Sequence, residues 1–450
     1  MLFSFFNTKI KQYTFLCILI SFFSIKSSAQ DQENEVQISG QLRTRFELRD
    51  GAFRPLATNE KPAALISERI RLKLDYNYSD LISVRISPQT VSIWGQANMV
   101  QGSENSGNRF ALYEAWTKLN VNPEFNIKLG RQVISLDDER IFGELDWAQG
   151  GRVHDAISLH FNMNKYEVKG FVSYNQNYKT LYGNNLSNPT GNLYSNTDAF
   201  PYKLMQTVWA SIPLGKYSKL TFLGTNLGFQ QAQTTTKDTV TIYAQTAGAN
   251  FFHNSKKVTA NASLYYQYSN NPKGLQTNAY LVAAYAAYQF DKKWDLGIGS
   301  DFVSGNDVGT SISENNSFNP YFHTGHKFYG YMDYYYSGNT HKNAGLSDTY
   351  LKLNYKSKDG HGFSAAFHQF YTPNQVIDTS KKVYNGDLGQ ELDLSFSYKI
   401  NKFATLMGGY SFYLNTPTLN YLKSVPLGKE YQQWAWLSLN VNPTFIKSKF

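Results

Sequence analysis

From Val36 to Arg49 the chain alternates. Val36, Ile38, Gly40, Leu42, Thr44, Phe46 and Leu48 occupy one set of positions, and Gln37, Ser39, Gln41, Arg43, Arg45, Glu47 and Arg49 the other. Successive side chains of a β-strand point to opposite faces, so this period predicts a strand with one apolar and one polar side. The pattern recurs. Ile66, Ile70, Leu72, Leu74 and Tyr76 oppose Ser67, Arg69, Arg71, Lys73 and Asp75. Leu392, Leu394, Phe396, Tyr398 and Ile400 oppose Glu391, Asp393, Ser395, Ser397 and Lys399, and Leu437, Leu439 and Val441 oppose Trp436, Ser438 and Asn440. A soluble sandwich or β-helix would bury the apolar side against a second sheet. A membrane barrel would turn it to lipid and enclose water with the other.

The connections separate the two. Short polar turns stand at residues 78–80, 122–124, 162–165, 214–216, 254–257, 291–293, 357–360 and 401–402. Between them lie longer stretches rich in Asn, Thr, Gly and Ser, at about 49–65, 96–109, 131–151, 177–201, 230–239, 269–277, 305–345, 372–388 and 415–429. These nine loops and eight turns join eighteen strands, with both ends on the short-turn side. Short periplasmic turns opposite long external loops are the outer-membrane barrel pattern. Aromatic groups such as Tyr265-Tyr266-Gln267-Tyr268, Tyr285 with Tyr288 and Trp434 with Trp436 crowd strand ends, where interfacial girdles want amphipathic rings. The fold class expected is therefore all-β, a transmembrane antiparallel barrel of about 18 strands.

Composition narrows this further. Aromatics make up 16% of 450 residues and charged residues only 17%, which argues against disorder. A single Cys excludes a disulfide framework. Residues 1–29 read as a secretory signal: Lys9 and Lys11 precede an apolar core from Tyr13 to Ile25, and Ser27-Ser28-Ala29 forms a small-residue cleavage site. Residues 30–450 are then expected to form one barrel domain, placed in a Gram-negative outer membrane.

Charge is unevenly spread within a net +9. Every Arg lies at or before Arg152; the rest of the chain uses Lys. Alternation puts Arg43, Arg45, Arg69, Arg71 and Arg85 on the lumenal side of the first three strands, one basic wall. Guanidinium forks suit carboxylate or phosphate, and a cationic patch in a narrow pore concentrates anions. The alternative is internal pairing of these arginines with Glu47, Asp75, Glu114, Glu391 and Asp393, which holds a pore open. Both remain in play.

Two stretches carry a resemblance. Tyr113-Glu114-Ala115-Trp116 precedes Lys128-Leu129-Gly130-Arg131-Gln132, Asp137-Asp138-Glu139-Arg140 and Leu145-Asp146-Trp147; the second is Asp387 to Leu394. Both resemble the alginate export family of outer-membrane barrels. Asn319-Pro320-Tyr321 and His326-Lys327-Phe328-Tyr329-Gly330 look like its Bacteroidota-type branch. The resemblance implies an eighteen-stranded monomer in outer-membrane lipid. It would pass an anionic polysaccharide or oligosaccharide, alginate-like, through an arginine-lined constriction. No cofactor is implied, and periplasmic secretion partners are compatible with it. Arg131 matches the family's Gly-Arg-Gln position, and Glu391 with Asp393 its acidic strand. The candidate cargo-contacting residues are thus Arg43, Arg45, Arg69, Arg71, Arg85, Arg131, Arg152, Glu391 and Asp393. The chain departs from the family's secretion member in lacking Arg beyond residue 152 and in its Pro443-containing tail.

The loop after Arg131 holds Asp137, Asp138, Glu139, Glu144 and Asp146. It suggests either an infolded, calcium-stabilised constriction or a loop tied by acidic pairs to Arg131, Arg140 and Arg152. Catalytic signatures are missing: there is no Gly-x-Ser-x-Gly elbow and no His-Glu-x-x-His pair among the eight His. A secreted chain with dispersed Lys also makes nucleic acid an unsuitable partner. An enzyme is not expected. A second reading takes the barrel as a mount for a surface adhesin or glycan-binding protein, with loop 305–345 and its Tyr321, Phe328, Tyr329, Tyr331 and Tyr334 to Tyr336 as the binding face.

Overall fold

A computed structural model describes residues 33–450 apart from 52, 96–108, 177–201, 233–238, 272–273 and 338–340. The expected signal segment 1–29 and nearly all of the loops at 96–109 and 177–201 lie outside the described residues. No described helix is long and apolar enough to cross a membrane. The strands are β1 (Asn34–Arg49), β2 (Ala63–Tyr78), β3 (Ile82–Ile93), β4 (Arg109–Asn122), β5 (Phe125–Gln132), β6 (His154–Met163) and β7 (Tyr166–Tyr174). They continue with β8 (Leu204–Leu214), β9 (Ser218–Ala232), β10 (Thr239–Asn254), β11 (Val258–Asn270), β12 (Gln276–Gln289), β13 (Trp294–Val303), β14 (Leu346–Lys356) and β15 (Gly362–Tyr371). A small hairpin, β16 (Val376–Ile377) and β17 (Val383–Tyr384), precedes β18 (Asp387–Lys399), β19 (Ala404–Asn415), the helix α1 (Pro417–Leu422), β20 (Tyr431–Val441) and β21 (Thr444–Lys449).

Each barrel strand pairs antiparallel with its neighbours, and the sheet meets its own beginning. β20 lies along the upper half of β1, from Arg49↔Trp434 to Leu42↔Val441. β21 continues along the lower half, from Ser39↔Thr444 to Glu35↔Lys449. The two are one strand interrupted at Asn442-Pro443, so the barrel closes with eighteen. Proline has no N–H for a ladder, and the break is placed where Pro443 offers only its carbonyl, to Gly40 N at 2.9 Å. The Pro443-containing tail is therefore the closing strand. Pro88 acts similarly in β3, where the register with β4 shifts between Ser87 and Pro88 and leaves Tyr113 as the extra residue.

The faces are inverted relative to a soluble protein. Leu264, Ile298 and Leu351 are more than half exposed on the outside, while Arg69, Thr221 and Asp348 are fully buried inside. A sheet of this kind has a stable environment only where its outside meets acyl chains. Tyr266, Tyr268 and Tyr288 belong to the outer belt as expected, but Tyr265 and Tyr285 face inward. Trp434 and Trp436 correct the expectation of a girdle. Both are buried in the lumen, with their indoles edge-on to Trp147 at 5.6 and 4.9 Å.

The interior is occupied from above. The β5–β6 loop (133–153) and the β13–β14 loop (304–345) fold into the lumen. Their Ile134, Ile141, Phe142, Phe318, Phe322, Tyr329, Met332, Tyr334 and Tyr335 form a buried cluster with inward groups of the wall such as Met205, Leu281 and Phe370. The outward apolar band and this inner cluster are separate, divided by the backbone of the sheet.

Candidate functional site

The basic wall holds the β5–β6 loop. Arg43 donates from Nε to Gln149 Oε1 at 3.0 Å and from Nη2 to the carbonyl of Ala148 at 3.1 Å. Arg69 pairs with Asp146 at 2.8 Å, and Arg43 meets the same carboxylate at 3.2 Å. Arg45 donates to the carbonyl of Trp147 at 2.9 Å, pairs with Glu47 at 2.8 Å, and stacks 4.1 Å over the Trp147 ring. Arg71 donates to Gln89 and lies 3.4 Å over the ring of Tyr113. Alternation on β1 and β2 brings these guanidiniums to one face. The loop then supplies what a cluster of buried cations needs, namely carbonyls and a carboxylate.

β18, three strands from β1 around the ring through β20 and β19, does the converse. Glu391 Oε1 accepts the backbone N–H of Met332 at 2.7 Å, and Asp393 Oδ2 accepts that of Tyr331 at 3.1 Å. Both donors lie in the β13–β14 loop. Asp393 also receives Ser411 Oγ, and His368 bridges Asp348 at 2.9 Å and Asp393 at 3.9 Å. A positive wall thus binds loop carbonyls and a negative wall binds loop N–H groups.

The loops are tied to each other and to the barrel. Arg152, at the end of the first loop, donates to the carbonyls of Phe322 and of His323, the latter at 2.7 Å. Arg140 forms a forked pair with Asp301 on β13, at 2.6 and 3.1 Å, and a further pair with Asp138 at 2.8 Å. Burial alone would lower the Arg140 guanidinium, but Asp301 and Asp138 beside it hold it well above its ordinary value. Asp137 accepts from Trp209, Thr221 and Asn250 at 2.9, 2.6 and 3.0 Å. Burial pushes its carboxyl up against the pull of those donors. Trp147 stacks on His326 across the junction.

Below this junction, toward the periplasmic turns, a cavity of about 550 Å³ opens between β13–β15, β18 and the loop tips. Lys327, Lys352, Lys356 and one carboxylate, Asp295, line it together with Trp147, Tyr331 and Trp436, and Lys327 also lies 3.7 Å from Glu139. A second cavity of about 210 Å³ shares Lys327, Tyr331 and Lys352 and reaches Arg140 and Asp348. Ammonium groups beside aromatic faces suit an anionic solute with an apolar side. The larger volume falls in the range that holds a small organic ligand.

The predicted residues divide into three groups. Arg43, Arg45, Arg69, Glu391 and Asp393 are lumenal but direct polar atoms to the loops, whereas Arg71 is lumenal and bound to Gln89 of the wall, and Arg85 is lumenal and paired with Asp75 at 2.6 Å and Glu114 at 3.3 Å. Arg152 is buried in the loop junction and is not part of a pore wall. Arg131 is displaced altogether: it shares a face with Leu129, which is outward, and pairs with outward Asp155 at 2.8 Å near the extracellular rim. Of the expected ties of the acidic loop, Arg140 pairs with Asp138, Arg131 pairs outside the loop, and Asp146 is held instead by Arg43 and Arg69. Sequence reading missed the lysines. Lys352 alternates with outward Leu351 and was legible; Lys327, in a loop, was not.

A model of the family described as alginate export matches residues 34–415. The chain is a member of the alginate export family. Its structure also resembles solved outer-membrane proteins. OccK5 (OpdH) of Pseudomonas aeruginosa aligns at TM-score 0.60 with 10% identity, over 91% of this chain and 98% of that one. OccK1 (OpdK) of the same organism gives 0.61 at 10%, over 91% and 99%. OccAB1 of Acinetobacter baumannii gives 0.59 at 11%, over 91% and 97%. At such identities the likeness speaks for the shared barrel. A search of curated protein sequences found no match. As an alginate export barrel the protein is an outer-membrane channel, set in the lipid of a Gram-negative outer membrane.

Proposed function

We propose that this channel passes anionic saccharides of oligosaccharide size by passive diffusion, with direction set by the gradient. The observation that carries the reading is the lysine-and-aromatic vestibule of about 550 Å³ beneath two loops that span the lumen. Lys327, Lys352 and Lys356 supply the attraction for carboxylates, and Trp147, Tyr331 and Trp436 supply faces for sugar rings. The arginine wall acts through the β5–β6 loop, which it positions, so it shapes the constriction. Two loops packed into the lumen favour a short chain over a long polymer. A fixed lumen that admits solute by diffusion needs no catalytic group, and a closed ring works as a monomer.

Bilayer recordings test the reading. Under a salt gradient the reversal potential should report anion preference, and short oligouronates should block the current reversibly where neutral oligomers of equal length do not. Replacing Lys327, Lys352 and Lys356 together by Ala should move the reversal potential toward zero and abolish the block. Cation preference in the wild type, or a triple variant indistinguishable from it, would refute the proposal.

A further inference from the structure

The outside of the barrel carries a feature that solute passage does not use. Across five adjacent strands, β8 to β12, one row of paired positions reads Gln206, Asn226, Gln245, Tyr268 and Asn278. Their chain neighbours Met205, Thr207, Thr225, Leu227, Ala244, Thr246, Gln267, Thr277 and Ala279 are all buried inside, so the row faces outward. The next outward row toward the periplasm is Val208, Gly224, Ala247, Tyr266 and Tyr280, with no side-chain amide or charge. An outward amide in hydrocarbon would leave its polar atoms unsatisfied. The step from one row to the next therefore marks where acyl chains end on this side of the barrel.

At that level the wall holds a depression of about 490 Å³, lined by Tyr266, Tyr268, Asn270, Gln276, Asn278 and Glu314. The rings of Tyr266 and Tyr268 lie 6.0 Å apart at 17°, a flat aromatic pair on the outer surface. Tyr266 donates to Asn278 Oδ1 at 3.0 Å, and Asn226 donates to Gln206 Oε1 at 2.7 Å, which orients the amides. Glu314 is brought over the rim because Asn315 bridges to Thr277 and exchanges backbone hydrogen bonds with Gln276 and Asn278.

We infer that this outer face of β8–β12 binds the sugar headgroup of an outer-leaflet glycolipid. Flat rings match the C–H face of a sugar, and amides that donate and accept match its hydroxyls. The depression is lined by one carboxylate and no cation, so it selects hydroxyls over phosphates. Its upper lining, Asn270, Gln276 and Glu314, rises beyond the apolar band to the level of sugars carried outside the acylated disaccharide.

The folded full-length barrel in detergent is titrated with rough lipopolysaccharide, which carries inner-core sugars, and with lipid A, which lacks them. The wild type should bind the core-bearing lipid about tenfold more tightly. The variant Tyr266→Leu, Tyr268→Leu and Asn278→Leu should lose that preference while keeping its affinity for lipid A. Leucine suits an outward strand position; if the triple variant fails to fold, Asn278→Leu alone is judged by the same criterion. Equal binding of the two lipids by the wild type would overturn the inference, assigning the contact to the phosphorylated, acylated disaccharide that the two share. So would a variant that retains the preference.

Discussion

The indole of Trp147 lies flat on the imidazole of His326, with centroids 3.9 Å apart and planes inclined by 13°. This pair joins the two infolded loops against the wall at β1 and β20, beside Arg45, Trp434 and Trp436. Arg45 of β1 caps the other side of the connection through Trp147, and Asp333 holds His326 Nδ1 at 3.2 Å. Met332, next to Asp333, is bound by Glu391 of β18. A continuous series of contacts therefore links the arginines of β1 to the carboxylates of β18, three strands away around the ring.

Removing the indole should loosen this crossing. Deleting a large packed aromatic costs ~3–5 kcal/mol at a well-packed site. In Trp147→Ala the barrel should stay closed while single-channel conductance rises and protease nicks the loops 133–153 and 304–345. Conductance equal to that of the wild type would show that the stack does not limit the pore.

Arg69 is completely buried, whereas its partner Asp146 keeps 43% of its side chain exposed. Breaking a fully buried pair costs ~3–5 kcal/mol, and the exposure of Asp146 brings the expected loss in Arg69→Ala nearer ~2 kcal/mol, read as loop proteolysis. Arg43→Ala with Arg71→Ala should likewise raise conductance and leave anion preference in place. From sequence alone, with the arginines as pore lining, the same double variant is expected to lose that preference. Reversal potentials distinguish the two outcomes.

Gly330 occupies φ +79°, and a Cβ there would run into the Glu391 carboxylate. Gly330→Ala combines a left-handed backbone penalty of ~1–2 kcal/mol with displacement of the loop from Glu391. Glu391→Gln keeps a carbonyl for Met332 N–H and should cost ~1 kcal/mol or less; Glu391→Ala should cost ~1–3 kcal/mol by orphaning the donor. The urea midpoint should fall least in Glu391→Gln and further in Gly330→Ala and Glu391→Ala.

Acid should loosen the β13–β14 loop. Burial, and then the charge of Arg152, lowers His323 to about 3, and burial followed by Lys423 lowers His341 to about 3. A group depressed in the folded state is neutral there and takes a proton on release. Its stabilisation is complete above the unfolded value near ~6.5 and declines as pH falls toward the folded value, by up to ~1.4 kcal/mol per pH unit for each group. Protease sensitivity of loop 304–345 should rise between pH 7 and pH 5, and His323→Phe should flatten that rise. A profile unchanged by the substitution would remove His323 from the account.

Much of the architecture was legible because it is local. Alternation names the face of each residue without reference to distant chain, and turn composition separates the short ends from the long ones. That suffices for eighteen strands, their order and the outward band. Where the reading slipped, the pattern itself held the correction. Leu129 and Arg131 are two apart on β5 and share a face, and Trp436 opposes Leu437. Parity places Arg131 outside and Trp436 inside.

The period of two, on its own, decided which atoms meet lipid and which the lumen, since that depends only on the pleat of each strand. What the lumenal charges do was settled by the tertiary structure. Arg69 finds Asp146, and Glu391 finds Met332, across separations in sequence that no local pattern spans. Buried cations and anions take whatever complementary groups the fold brings within reach, and here those groups belong to two loops rather than to a passing solute.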